Sequence, residues 1–112
     1  MPTVKFPFGP ATQVALSATG AQALSIDNQM TIVDGVTVIA TGHRTLNLTI
    51  DPGVTAGAKM VLKTKTNAVE NTVFGTGMTG LTYAGVGGKT IHTTLVYDGT
   101  KFLQEGTPIQ VD

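Results

Sequence analysis

Cysteine and tryptophan are both absent from the 112-residue chain, and only two tyrosines and four phenylalanines occur. Without thiols, a disulfide scaffold, a thiolate metal site, a cysteine nucleophile and an iron–sulfur centre are all excluded. The scarcity of aromatics removes most of the large rigid side chains that dominate binding hot spots. Charge is scarce as well. Charged residues make up 12% of the chain, with seven Lys and Arg balancing seven Asp and Glu, against a usual share of about 25%. A nucleic-acid binder needs clustered cations to displace phosphate counterions. These cations are scattered, so nucleic acid is not an expected partner. A neutral, charge-poor surface resists self-association weakly, which makes a homo-oligomer an expectation from composition alone.

Long apolar runs are missing too. No stretch reaches the roughly 18 residues of a transmembrane helix, so no membrane partner is expected. Helical spacing of apolar residues never persists over eleven or more positions without glycine, proline or a β-branched run. What the chain does contain is threonine, twenty times, and glycine, fourteen times, with many Val and Ile. That mixture suits pleated, half-buried sheets joined by tight turns.

The N-terminus, MPTVKFPFGPA, carries Pro2, Pro7 and Pro10 and has no apolar core of the kind a signal peptide needs. It reads as an extended arm over residues 1–11, ahead of one domain over 12–112. Alternation places Val4, Phe6 and Phe8 on one side of an extended segment. They either cap the domain's own core or dock on a neighbouring subunit or a larger partner.

Period-two alternation then recurs along the chain. Val14 and Leu16, Leu24 and Ile26, and Met30 and Ile32 mark three short strands, the third leading into a turn at Asp34-Gly35. Val36 to Ala40 is almost continuously apolar, as a strand covered on both faces would be. In TLNLTI, Leu46, Leu48 and Ile50 face inward while Thr45, Asn47 and Thr49 face outward. Asp51-Pro52-Gly53 ends that strand, KMVLKTK starts another, and Asn71 to Phe74 is a further short one. Six glycines between Gly75 and Gly88 predict a long ordered loop with a short strand near Leu81 to Tyr83. TIHTTLVY and TKFLQE around Asp98-Gly99 predict a hairpin with a type I′ turn, followed by PIQV as an edge. The expected fold is all-β: an antiparallel sandwich or barrel, jelly-roll-like, of eight to nine short strands with little or no helix.

Catalytic motifs fail on their context. Gly75, Gly77 and Gly80 match G-x-G-x-x-G, but LTYAGVGG follows where a dinucleotide site requires a helix. Gly88-Lys89-Thr90 resembles the end of a phosphate-binding loop, yet Tyr83 stands where its first glycine belongs. His43 and His92 lie in separate segments without metal-ligand spacing. Asp34, Asp51 and Asp98 each adjoin Gly or Pro, where a carboxylate serves the local backbone. No G-x-S-x-G elbow occurs. The chain is therefore expected to be neither an enzyme nor a cofactor protein, and no metal ligand is assigned.

Three segments in order, TQVALSATGAQALSIDN, NLTIDPGVTAGAKMVLKTK and TIHTTLVYDGTKFLQ, give the chain a family likeness. It resembles a β-rich module of bacteriophage virion proteins, in which an initial strand pair, an alternating strand, a Pro-Gly turn, a Gly-rich loop and a final V-Y-D-G-T-K hairpin follow one another. The resemblance spans about residues 12 to 104, with Phe102 in the place of the family's tryptophan. It implies a homotrimeric structural component of the virion, of head-fibre, capsid-decoration or tail-fibre type. A lone module with an arm resembles a capsid-decorating protein more than a fibre fragment. The expected partners are then copies of itself and a capsid or other virion protein, and the expected location is the virion, with the host cytoplasm during assembly. In this reading Val4, Phe6 and Phe8 make the contacts, while Leu46, Leu48, Ile50, Leu95 and Phe102 fill the core. The alternative is a carbohydrate- or receptor-binding module of a tail fibre, with Tyr83, His92 or Tyr97 beside the Gly-rich loop touching the ligand.

Overall fold

A computed structural model describes residues 12–80 and 82–112, and the side chain of Tyr83 lies outside that description. Ten strands run in chain order: β1 (Thr12–Ala15), β2 (Gly20–Ile26), β3 (Met30–Ala40), β4 (Arg44–Ile50), β5 (Lys59–Thr66), β6 (Asn71–Phe74), β7 (Met78–Thr79), β8 (Tyr83–Ala84), β9 (Thr90–Tyr97) and β10 (Phe102–Gln110). No helix occurs among the described residues. One sheet has six strands in the order β1-β3-β5-β9-β10-β7, and the other has four in the order β2-β4-β6-β8.

Alternation explains each strand. In β5 every second residue from Met60 to Thr66 is buried, and in β9 the same holds from Ile91 to Tyr97, the pattern of strands with one face on a core. Both sheets contribute to that core. Leu24, Ile26, Leu46 and Leu48 from the four-stranded sheet meet Val33, Met60, Leu62, Leu95 and Phe102 from the six-stranded one, with Ile50 packed against them. The core residues expected from the sequence are all present in it. The all-β, sandwich-like class is as expected.

The pairing direction differs from the expectation. Five of the eight strand pairs are parallel: β1 with β3, β3 with β5, β2 with β4, β4 with β6, and β7 with β10. Only β5 with β9, β9 with β10, and β6 with β8 are antiparallel. The first six strands alternate between the two sheets, so the chain coils, and each strand meets its parallel partner one coil later. A parallel pair needs a crossover of a dozen or more residues, and here the intervening strand of the opposite sheet supplies it. Alternation in a single strand is the same for either direction, so nothing in the pattern distinguished coil from meander. Thr12, Thr31 and Met60 stand at one level of successive coils, as do Gly20, Arg44 and Thr72 on the other sheet. The spacing changes from coil to coil, and so no internal repeat is visible.

Four local expectations are also corrected. Asp34-Gly35 is not a turn: both residues lie within β3 and pair with Lys63 and Thr64. Beyond them, Gly35 aligns with Thr64 and Ala40 with Thr66, so three extra residues of β3 are pushed out of the ladder. Val36 to Ala40 is consequently not covered on both faces, because Val38 and Ile39 are about 41% and 40% exposed. The hairpin at Asp98-Gly99 has a four-residue loop, since Tyr97 pairs with Phe102 and Asp98 N–H bonds Lys101 O at 3.0 Å. Gly99 adopts φ 101° there, a value that suits glycine. PIQV is not a separate edge strand. Pro108 to Gln110 continue β10 past an irregularity between Glu105 and Ile109, and a bulge with a proline is a common way to blunt a sheet edge. In the Gly-rich stretch the described residues form two two-residue strands, β7 and β8, and Leu81 of the strand expected near Leu81 to Tyr83 lies outside the described residues.

Candidate functional site, the open end of the coil

The strand directions divide the molecule into two ends. One end gathers the connections at Asp27–Gln29, Asp51–Ala58 and Asp98–Lys101, and β1 begins there. We call it the turn end. The opposite end gathers the connections at Ser17–Thr19, Thr41–His43, Asn67–Glu70 and Gly85–Lys89, together with the C-terminus. We call it the open end. Seven large apolar side chains are exposed among the described residues: Val38, Ile39, Val69, Val86, Leu103, Ile109 and Val111. All but Leu103 belong to the open end or to the part of β10 that runs into it.

The apolar tips are held firmly. Arg44, the chain's only arginine, is 1% exposed at the start of β4. Its Nη1 donates to Gly35 O at 3.0 Å and its Nη2 donates to Val38 O, so one guanidinium ties both sides of the β3 excursion. Gly35 makes room for it, because a Cβ there would meet Arg44 Nη1 at 2.5 Å and Lys63 O at 2.8 Å. On the other side Asp34 accepts from Val36 N at 2.8 Å, Thr37 N at 3.0 Å and Thr37 Oγ1 at 2.6 Å. These bonds, the Thr37 hydroxyl first, hold its carboxyl down at about 2.

Thr66 is the second clasp. It is buried, its hydroxyl donates to Ala68 O at 2.8 Å, and its backbone bridges to Gly87. Asn67 N–H bonds Ala40 O at 2.9 Å, and Gly88 N–H bonds Thr66 O at 2.8 Å. Ile39, Val69 and Val86 therefore project from three loops stacked in adjacent layers. Around them stand polar groups. His43 Nδ1 accepts from Asn71 N at 2.9 Å, Glu70 Oε1 accepts from Ala68 N at 2.7 Å, and Asp112 accepts from Thr90 N at 2.6 Å. The Thr90 N–H lowers the Asp112 carboxyl from its ordinary value.

Of the expected ligand residues, His92 and Tyr97 lie on opposite faces of β9. His92 lies on the outer face of the six-stranded sheet, opposite Lys63 and Ile109. Tyr83 belongs to β8 of the other sheet. Tyr97 is corrected from surface to core: it is 9% exposed, donates its hydroxyl to Gly99 O at 3.0 Å and lies against Phe102 with ring centroids 5.1 Å apart. Inward alternation from Ile91 dictates this. Val4, Phe6 and Phe8 fall outside the described residues.

The remaining motifs serve the fold. Gly75 and Gly77 pack against Asn47 and Leu48 of β4, and Asn47 Oδ1 accepts from Thr76 N at 3.0 Å. A shallow groove of about 440 Å³ runs beside β10, lined by Thr79, Gly80, Leu103, Gln104 and Gly106, a set without an acid, a base or a nucleophile beyond a threonine hydroxyl. Among the described residues no three His, Asp or Glu side chains gather as a metal site. Sequence reasoning missed the apolar end because Val38, Ile39, Val69 and Val86 come from three separate loops. The one available signal was the isolated valines in the otherwise polar stretches Asn67–Glu70 and Gly85–Lys89. Compared with protein-family models, curated proteins and solved structures, the chain finds no match in any of the three.

Proposed function

We infer that the protein is a non-enzymatic structural component that works by self-association, a trimeric capsid-decorating protein of a bacteriophage virion. The observation that carries the first part is the open end, where six large aliphatic side chains of described residues are exposed, four of them, Val38, Ile39, Val69 and Val86, on segments held by Arg44, Asp34 and Thr66. Concentrated apolar surface on a rigid frame marks a contact surface. Few charges oppose association. The virion setting and the threefold order rest on the sequence resemblance, whose three segments correspond to β1–β2, β4–β5 and β9–β10. Oligomers of identical chains usually close by cyclic symmetry, which agrees with a trimer without selecting it.

Light scattering on a size-exclusion column tests this reading. Three chain masses in one peak at micromolar concentration is the expected result, and a monomer there overturns it. Addition of the purified protein to phage particles that lack a decorating protein, followed by sedimentation, tests the virion setting. Co-sedimentation is expected, and its absence removes the capsid from the reading.

A further inference from the structure

A sheet edge presents a row of backbone N–H and C=O groups to which another strand can bond, and most proteins blunt such edges with short strands, prolines, bulges or charge. Three of the four edges among the described residues are blunted in this way. β1 has four residues, β7 and β8 have two each, and the part of β10 beyond β7 carries Pro108 and the irregularity between Glu105 and Ile109. Strand β2 is the exception. It runs for seven residues, Gly20–Ile26, without charge or proline, and keeps one unbroken register with β4, from Gly20 beside Arg44 to Ile26 beside Ile50. Among the described residues no strand lies on its other side. Two bonds fix the direction of its backbone: Gly20 N–H donates to His43 O at 2.9 Å, and Ile26 O accepts from Asp51 N at 2.8 Å. Backbone groups alternate in direction along a strand. Gly20, Gln22, Leu24 and Ile26 therefore face β4, and Ala21, Ala23 and Ser25 turn three N–H and three C=O groups outward in the plane of the sheet. Their side chains are exposed as well.

We propose that β2 of one copy pairs antiparallel with β2 of a second copy across a twofold axis at Ala23. The outward set is symmetric about Ala23, which is what selects a second copy. In that register Ala23 faces Ala23 and Ala21 faces Ser25, so three donors and three acceptors on each copy give six hydrogen bonds with none left over. A shift of two residues either way leaves Ala21 or Ser25 without a strand partner. The facing side chains are small, and two strands at ladder spacing hold Ala against Ala and Ala against Ser without a clash. No like charges meet, because Asp27, which directly follows β2, comes opposite the partner's Thr19. The pairing joins two four-stranded sheets into one of eight strands and leaves the open end free. Such a contact is isologous, so it cannot close a threefold ring. It doubles whichever assembly the open end forms, and it stands or falls independently of the trimer.

Amide exchange of the full chain reads the edge directly. In dilute protein Ala21, Ala23 and Ser25 should exchange fast, while Gln22, Leu24 and Ile26, whose N–H groups face β4, exchange slowly. Raising the chain from micromolar to millimolar concentration should slow the first three about tenfold or more and double the mass by light scattering. The chain has no cysteine, so single substitutions test the register. Cα atoms of a hydrogen-bonded antiparallel pair lie about 5.5 Å apart, within disulfide reach, and Ala23→Cys should oxidise to a covalent dimer. The two copies of residue 21 stand four residues out of register, about 14 Å along the strands. Ala21→Cys alone should therefore stay uncoupled, and Ala21→Cys mixed with Ser25→Cys should couple. Ala23→Pro removes an outward donor and none that β4 receives, so doubling should be lost with the melting temperature kept. If that variant does not fold, Ala23→Lys, which sets like charges opposite each other, should lose the doubling instead. Equal coupling of Ala23→Cys and Ala21→Cys, or fast exchange of the three amides at every concentration, overturns the proposal. Slow exchange of the three in dilute protein of undoubled mass overturns it too, because the chain's own residues then cover the edge. A threefold mass that doubles supports both readings, whereas a monomer that doubles removes the trimer and keeps this contact.

Discussion

The two ends of the coil are built from one framework and finished differently. At the turn end, each reversal is closed by its own polar groups. Asp51 Oδ1 accepts from Gly53 N at 2.8 Å, and Asp98 Oδ1 accepts from Thr100 N at 2.8 Å and Lys101 N at 2.9 Å. Val54 and Ala58 turn inward, and the Tyr97–Phe102 pair plugs the core beneath. At the open end, equally definite bonding from Arg44, Asp34 and Thr66 leaves aliphatic side chains outside. The bonding at one end shields apolar groups and at the other displays them. Order in a loop and burial of its side chains are separate properties, and a loop that is ordered without burying its apolar residues is a candidate contact.

The largest effects should come from removing what anchors each end. Phe102→Ala at the turn end opens a cavity in the fully buried core and should cost about 3–5 kcal/mol in urea unfolding. Arg44→Ala at the open end strips two carbonyls of their donor and should cost about 3 kcal/mol. The two variants should differ in what else they change. Only Arg44→Ala should release the Val36–Ile39 excursion, seen as faster amide exchange there with protection retained in β9. Uniform loss of protection in both variants would mean that the two ends are not separately built.

Acid should act on both ends through carboxylates held ionised by hydrogen bonds. The folded pKa of Asp34 is about 2, against an ordinary 3.8, chiefly because of the Thr37 hydroxyl. Asp98 is lowered by the Lys101 N–H and Asp112 by the Thr90 N–H. A depressed folded pKa gives stability that is complete above the unfolded value and lost as pH falls through the folded one. Melting temperature should therefore be flat down to about pH 4 and fall between there and about pH 2. Asp34→Asn should melt lower than the parent at neutral pH and lose less on acidification. An equal acid slope in parent and variant would show that Asp34 contributes nothing to the open end.

Strand positions and the inward sets were readable because alternation is local: Leu46 and Leu48 can be placed from β4 alone. Pairing direction was not readable, since it depends on which sheet each successive strand joins. The Asp34-Gly35 dipeptide reads as a turn by composition. Its role is settled by Arg44, nine residues later, whose guanidinium needs the space beside Gly35. Tyr97 shows the opposite case: it shares the inward alternation of β9 with Ile91 and Leu95, a local signal outweighed in the sequence reading by its type as an aromatic ligand contact, and its hydroxyl donates to Gly99 O in the neighbouring loop. The open end was the least legible feature, because contributions from three loops become a surface only once the coil stacks them.

The smallest expected effect concerns the layer between the ends. Thr31 and Thr93 are buried at 0% and 2% exposure, and both hydroxyls lack a hydrogen-bond partner among the described residues. A buried hydroxyl that forms no bond forfeits its hydration without return. Thr31→Val and Thr93→Val keep the shape and remove that cost, so each should raise stability by about 1 kcal/mol. Thr31 sits nearer the turn end, beside Met60, and Thr93 nearer the open end, opposite Leu62. Equal gains in urea unfolding would show one uniform core beneath two differently finished ends. A gain at Thr31 alone would place the difference between the ends in the interior as well, with Thr93 in a region that water reaches from the open side.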